Sequence, residues 1–504
     1  MLVCCAATGG SEGEVLGMKR IAPYRSSRRR STGPADSGEL FRGGTSLRPM
    51  VVLVDADLID APATGRDTRS RSQELLAELL GLETLVVHRY ADAGPRLGTP
   101  TVSNGVWRVF PGWAVVSEKR DGVWGVVSGN GDQWTESGVI GNAVEVAERD
   151  TSTSAYADLE SADAAARRAA DGLAAQVAGQ ALEADVFITE RGYLHEATWR
   201  VAGDTTVYGV DDALALIGLY LRTQGLFHIA QRYKFNRGLF AWVATRELLP
   251  SAWRWFSAVV RSGSASGDER LMILAGSLLQ RFERALVGRD AILIALNQQQ
   301  DNDIRDDALT ALDDVSYRLM GAFDVLARVA HRVCGLSSRE RSAGWQNAGW
   351  LAELAAVAPD LADVLHPGKQ GTKVLTILRL LRNTIHGEAL QGLHVQMSGK
   401  PDRSLVGLNS DDEAEILEAM DALGGRARWG VEELLPGRVH VDPGVVVEEL
   451  FGEVIPLLNA LMDLTPVESL PGMSLTEDDL VPPVDIAGPF SEPCRFSIRK
   501  QYGF

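Results

Sequence analysis

The chain has 504 residues, enough for two or three domains, and 45% of them are hydrophobic, the content of an ordinary soluble protein. Its formal net charge of −17 opposes indiscriminate binding to nucleic acid, which needs a cationic surface, and confines any polyanion contact to a local basic patch. No apolar run reaches bilayer-spanning length, so a non-membrane, cytoplasmic protein is expected. The four cysteines, Cys4, Cys5, Cys334 and Cys494, have neither metal-ligand spacing nor the pattern of a disulfide framework, and read as free thiols in a reducing compartment.

Residues 1–49 are rich in Gly, Ser and Arg without apolar periodicity, and read as a disordered tail. Met50 directly precedes the first strand, so this tail is also compatible with an over-extended start, or with a nucleic-acid-binding arm around Arg28, Arg29 and Arg30. From residue 50 to 222 the pattern is α/β. Val51-Val-Leu-Val54 is a continuous β-branched run, typical of a buried parallel strand, and ends in Asp55-Ala-Asp57. A helix over 72–82, a strand over 84–90, a strand at Asp185–Thr189, a further strand at 206–210 and a helix over 211–222 complete the alternation, which predicts a parallel sheet. Short aromatic and β-branched runs between about 100 and 149, separated by Gly-Asp and Gly-Asn turns, predict an antiparallel insertion, and 161–181 reads as an Ala-rich helix.

Ligands of such sheets sit at the carboxyl ends of the strands, where Asp55, Asp57 and Glu190 would stand as clustered carboxylates suited to Mg²⁺ or Mn²⁺. Val-Leu-Val-Asp55-Ala-Asp-Leu-Ile and Ala184-Asp-Val-Phe-Ile-Thr189 resemble the first and late strands of PIN-like nucleases. That resemblance implies a metal-dependent nuclease fold. Where the family places an acid two residues after the Thr, this chain has Arg191, with Glu190 one position early.

Residues 223–299 read as a helical connector region. Its aromatic-dense stretch from Phe227 to Phe256 interleaves with arginines and reads mainly as core, with a base-stacking surface as the alternative. Ser262–Gly267 reads as a flexible connector. Between 300 and 465 a helical domain is expected. Leu309, Leu312, Val315, Leu319, Phe323, Leu326, Val329 and Val333 fall at helical steps, and His331 reads as a helix-end cap partner. After residue 387 a strand pair over 392–408, a helix from a Ser410/Glu413 capping box, an irregular stretch over 424–438 and a last helix over 445–464 follow, with 466–504 as a flexible, acidic, Pro-rich tail.

The stretch Gly371–Gly387 concentrates the chemistry. Val374, Leu375, Leu378, Leu381 and Ile385 form one apolar stripe, while Arg379, Arg382 and His386, three and four residues apart, form a polar one with Asn383 at its edge. Two guanidiniums, an amide and an imidazole have the parts to hold a phosphate and move a proton, or, on an ordinary surface helix, to make caps and ion pairs. Arg-Asn-Thr-Ile-His-Gly resembles the Arg-x4-6-His motif of the HEPN family, which often has a polar residue after the Arg; Arg382 to His386 leaves a gap of three, and Arg379 to His386 a gap of six, but the residue after Arg379 is Leu380. The resemblance implies metal-independent RNA cleavage at a composite site between two copies, with His386 assisting the ribose 2′-hydroxyl, Arg382 or Arg379 binding the scissile phosphate and Asn383 orienting one of them. It also implies a toxin-like or phage-defence setting. The alternatives are a non-catalytic binding or scaffold protein with degenerate nuclease modules, or metal-dependent cleavage by the α/β part.

Overall fold

The computed structural model describes residues 48–60, 69–90, 101–103, 106–108, 110–120, 123–130, 133–141, 182–191, 195, 206–229, 233–298, 300–383, 390–396, 403–408, 411–435, 438–471, 473, 475, 476, 479 and 488–504. The tail to residue 47, the helix expected over 161–181, and the segment 384–389 with His386 lie outside the described residues.

The N-terminal part is built on a mixed sheet. Strand β1 (Met50–Asp55) has no polar face, and the chain covers it on both sides. It pairs in parallel with β2 (Leu85–Tyr90) and β8 (Val186–Ile188); β9 (Thr206–Tyr208) adds in parallel to β8. A small antiparallel pair, β3 (Thr101–Ser103) and β4 (Val106–Arg108), precedes β5 (Gly112–Arg120). The predicted antiparallel insertion is part of the main sheet: β5 first runs parallel to β2 through Gly112–Ala114, then continues as a meander with β6 (Val123–Asn130) and β7 (Gln133–Gly141). The order is β7-β6-β5-β2-β1-β8-β9. Helix α1 (Ala56–Ile59) follows β1, and α2 (Arg71–Leu80) opens on a Ser70/Gln73 capping box. Helix α3 (Val210–Thr223) follows β9 and is buried along almost its whole length.

The remainder is mostly helical. A hairpin of β10 (Phe227–Ile229) and β11 (Tyr233–Phe235) leads into α4 (Arg237–Leu248) and α5 (Ala252–Ser266). Helix α5 runs through the predicted Ser-Gly connector. Ser262 and Gly263 are buried there, and a Cβ on Gly263 would meet Met272 Cγ at 2.6 Å, so packing overrides the low helix propensity of the segment. The two longest helices among the described residues, α6 (Glu269–Leu296) and α7 (Asn302–Val333), lie antiparallel: Arg332 pairs with Asp268 at one end, and further along Val315 packs on Gly288. The eight apolar residues predicted to line α7 are all buried. Helices α8 (Ala348–Val357) and α9 (Pro359–Asp363) lead to α10 (Gln370–Asn383), which packs against α7, α11 (Glu413–Ala422) and α12 (Pro443–Leu464).

A four-stranded antiparallel sheet interrupts the helices. It has the order β12 (Gln391–Val395), β13 (Arg403–Gly407), β15 (Arg438–Val441), β14 (Val431–Leu435). The expected strand pair is its first half. Of its second half, β14 lies in the stretch read as irregular, where Glu432 and Glu433 give little apolar alternation, and β15 begins at the end of that stretch.

The expected loose tail also differs. Residues Glu492–Tyr502 form α13, which packs against α3 and α4. Arg495 and Arg499 both reach Glu247, Lys500 pairs with Asp211 at 3.0 Å, and Gln501 Nε2 donates to the His228 carbonyl oxygen at 2.9 Å. Gly218 of α3 makes this contact possible, because a Cβ there would lie 2.6 Å from the Gln501 carbonyl oxygen. Gly218→Ala is therefore expected to destabilise the intact chain by about 1–3 kcal/mol through overpacking. Thermal unfolding measures this, and an unchanged midpoint would show that α13 yields without cost.

Candidate functional site

Asp55 ends β1 and is buried at the carboxyl edge of the sheet. Because β8 is the parallel neighbour of β1, Thr189 and Arg191 arrive beside it. Thr189 Oγ1 donates to Asp55 Oδ2 at 3.2 Å, and Arg191 Nη2 lies 2.9 Å from the same oxygen. The Arg191 backbone N–H donates to Thr189 Oγ1 at 3.2 Å, and its guanidinium stands 5.5 Å from the Tyr90 ring centroid. Burial raises the Asp55 pKa above the ordinary carboxylate value, with Arg191 opposing the rise and Asp57 adding to it.

The other predicted ligands have separate work. Glu190 Oε1 accepts from the Val210 backbone N–H at 2.7 Å, capping α3 in place of Gly209, which has no side chain to do so. Asp57 is exposed on α1, and Asp60 takes the Arg89 guanidinium, with Nε to Oδ1 at 2.9 Å. His195, which carries no sequence signal of its own, places Nε2 2.8 Å from the Thr189 carbonyl oxygen, so that nitrogen bears the proton. A divalent cation needs several carboxylate oxygens turned to one point. Here a fixed guanidinium stands on Asp55 and Glu190 is committed to a helix terminus. This arrangement does not fit Mg²⁺ or Mn²⁺, and among the described residues no group of three or more His, Cys, Asp or Glu is arranged to hold a metal.

Of the apolar stripe, Val374, Leu375, Leu378 and Leu381 on α10 are buried, joined by Ile377 and Leu380, while Ile385 lies outside the described residues. The arginines stay at the surface, with side-chain exposures of 35% for Arg379 and 33% for Arg382. Arg379 Nη2 pairs with Glu415 of α11 at 2.6 Å, and Arg382 Nη1 stands 3.8 Å from Asp324 Oδ2 of α7. Burial pushes the Asp324 carboxyl up, against the pull of Arg382. Asn383 closes the helix, and His386 lies beyond the described stretch.

Two further residues, one in the last turn of α7 and one just after it, are set aside by their surroundings. His331 is buried, and its Nδ1 accepts from Trp350 Nε1 at 3.2 Å, so it serves the core instead of capping the helix end. Burial pushes the Cys334 thiol up to about 11. Roughly one thiol in a thousand is then ionised at pH 8, so Cys334 is expected to label with iodoacetamide far more slowly than free cysteine. Labelling at the free-cysteine rate would contradict that environment. In the aromatic stretch, Phe240 and Trp255 are buried, while Trp242 and Trp253 both pack on Phe490 with ring centroids 5.1 Å apart. The Arg246 guanidinium stacks 4.0 Å over Trp242, so these rings are used internally. Comparison with protein-family models, with curated proteins and with solved structures finds no match for this chain.

Proposed function

We propose that the helical part cleaves RNA without a metal, as a HEPN-type endoribonuclease acting as a homodimer. His386 takes the proton of a ribose 2′-hydroxyl. The freed oxygen attacks the adjacent phosphorus, the 5′-oxygen leaves with a proton, and the products carry a 2′,3′-cyclic phosphate and a 5′-hydroxyl. Arg382 and Arg379 hold the phosphate oxygens, and Asn383 orients the group beside it.

The observation that carries this reading is the split character of α10, where Val374, Leu375, Leu378 and Leu381 are buried and both arginines are reachable from solvent. Their present partners are Glu415, which is 53% exposed, and Asp324, which is 38% exposed and stands 3.8 Å from Arg382. Such exposed pairs are worth about 0–1 kcal/mol, so a phosphate can displace them. The salt bridge of Arg191 with Asp55 favours a companion role for the α/β part, as a module that does not use a metal. Chelation and Asp55→Asn together test the choice: cleavage should survive both. Loss of cleavage on Asp55→Asn, with rescue of the chelated parent by Mn²⁺, would move the chemistry to the α/β part.

A further inference from the structure

Beside Arg382, two more arginines converge from other helices and nothing neutralises them fully. Asp324 and Arg328 are one turn apart on α7, and Gly321 and Tyr317 continue the same face toward its N-terminus. Arg281 crosses to this face from α6. Its guanidinium lies in the space that Gly321 leaves open, where a Cβ would come 2.3 Å from Arg281 Nη1, and its Cζ stands 5.8 Å from the Tyr317 ring centroid. Arg382 approaches the same carboxylate from α10, at 3.8 Å. Arg382, Arg328 and Arg281 all act electrostatically on Asp324.

Three guanidiniums thus act on one carboxylate, with Arg382 at 3.8 Å, in a chain whose formal net charge is −17. Among the described residues, Arg281 and Arg328 make no hydrogen bond and no ion pair, and the Nε of each is buried without a partner. A buried donor left unpaired costs free energy, and like charges held together repel. The gap at Gly321 and the Tyr317 ring seat the Arg281 guanidinium, but packing gives neither Nε a hydrogen-bond acceptor. An anion bridging the cluster would answer both.

We propose that Arg281 and Arg328, with Arg382, form a phosphate-binding subsite for the backbone of a single-stranded RNA, built across α6, α7 and α10. The subsite rests on the ribonuclease reading for the identity of its ligand, but its evidence is separate from His386. Asp324 sets its strength, because its carboxylate competes with an incoming phosphate for the Arg382 guanidinium.

The test uses the intact chain and a fluorescein-labelled 2′-O-methyl oligoribonucleotide, which lacks the attacking hydroxyl and so reports binding alone. Arg281→Gln/Arg328→Gln should weaken binding about 10- to 100-fold at low salt. It should also flatten the dependence of log affinity on log salt by about 1.4, at about 0.7 for each phosphate that is no longer neutralised. Asp324→Asn should tighten binding several-fold, a gain that neither misfolding nor a purely structural role produces. Unchanged affinity and slope in the double variant, or weaker binding by Asp324→Asn, overturns the subsite. If instead His386→Ala leaves RNA cleavage intact while these binding changes appear, the ribonuclease reading fails and the phosphate subsite stands.

Discussion

Alanine in place of His386 is expected to lower RNA cleavage by about 10²- to 10⁴-fold, the range for removal of one positioned general acid or base. Binding of an uncleavable oligonucleotide should change little, because in the proposed mechanism the imidazole moves a proton while the arginines supply the charge attraction. Arg382→Ala should reduce both, since a guanidinium on the phosphate acts in the ground state and the transition state. His386→Ala and Arg382→Ala therefore separate the two functions assigned to one stripe, provided rates and affinities are measured on the same preparations. Equal cleavage by the parent and His386→Ala would remove the imidazole from the chemistry.

Arg222→Ala is expected to destabilise the folded chain by about 3–5 kcal/mol, because it strands a buried carboxylate. Arg222 of α3 and Asp290 of α6 are both buried and form a two-bond pair, Nε to Oδ2 at 2.6 Å and Nη2 to Oδ1 at 2.9 Å. Arg222 Nη1 also donates to the Gln501 carbonyl oxygen of α13 at 2.9 Å, and its guanidinium lies 4.2 Å from the Tyr502 ring centroid. Next to it, the fully buried Arg289 donates to the Tyr502 carbonyl oxygen at 2.8 Å. One side chain thus joins the helix behind the sheet, the long helix of the bundle and the C-terminal helix. Thermal unfolding of Arg222→Ala against Arg222→Ala/Asp290→Ala measures the effect. Part of the loss should return in the double variant, where no charge is left stranded, and failure to recover any would place the cost in packing alone.

The α/β character of the first part, the core stripe of α7 and the arginine stripe of α10 were legible because each is set by local periodicity. A strand with no polar face, or eight apolar residues at helical steps facing one core, states its environment without reference to distant residues. What stayed illegible depends on which segments meet. Arg191 stands two residues after Thr189 in the sequence, but its ion pair with Asp55 follows only from β8 lying beside β1. Asp324 and Glu415 as partners of the α10 arginines are likewise products of helix packing. The Ser-Gly segment of α5 reads as a linker until Met272 is found packed on Gly263. In α13, Cys494, Ile498 and Tyr502 mark a buried stripe at four-residue steps, hidden behind the Pro-rich acidic composition that precedes it.

The central claim is that chemistry occurs at the α10 stripe by attack of the ribose 2′-hydroxyl. Mapping the ends of RNA fragments made by the purified parent in excess EDTA tests it most directly. The account predicts fragments ending in 2′,3′-cyclic phosphate opposite 5′-hydroxyl ends. Fragments with 5′-phosphate ends, or none at all once the chelator is present, would contradict it.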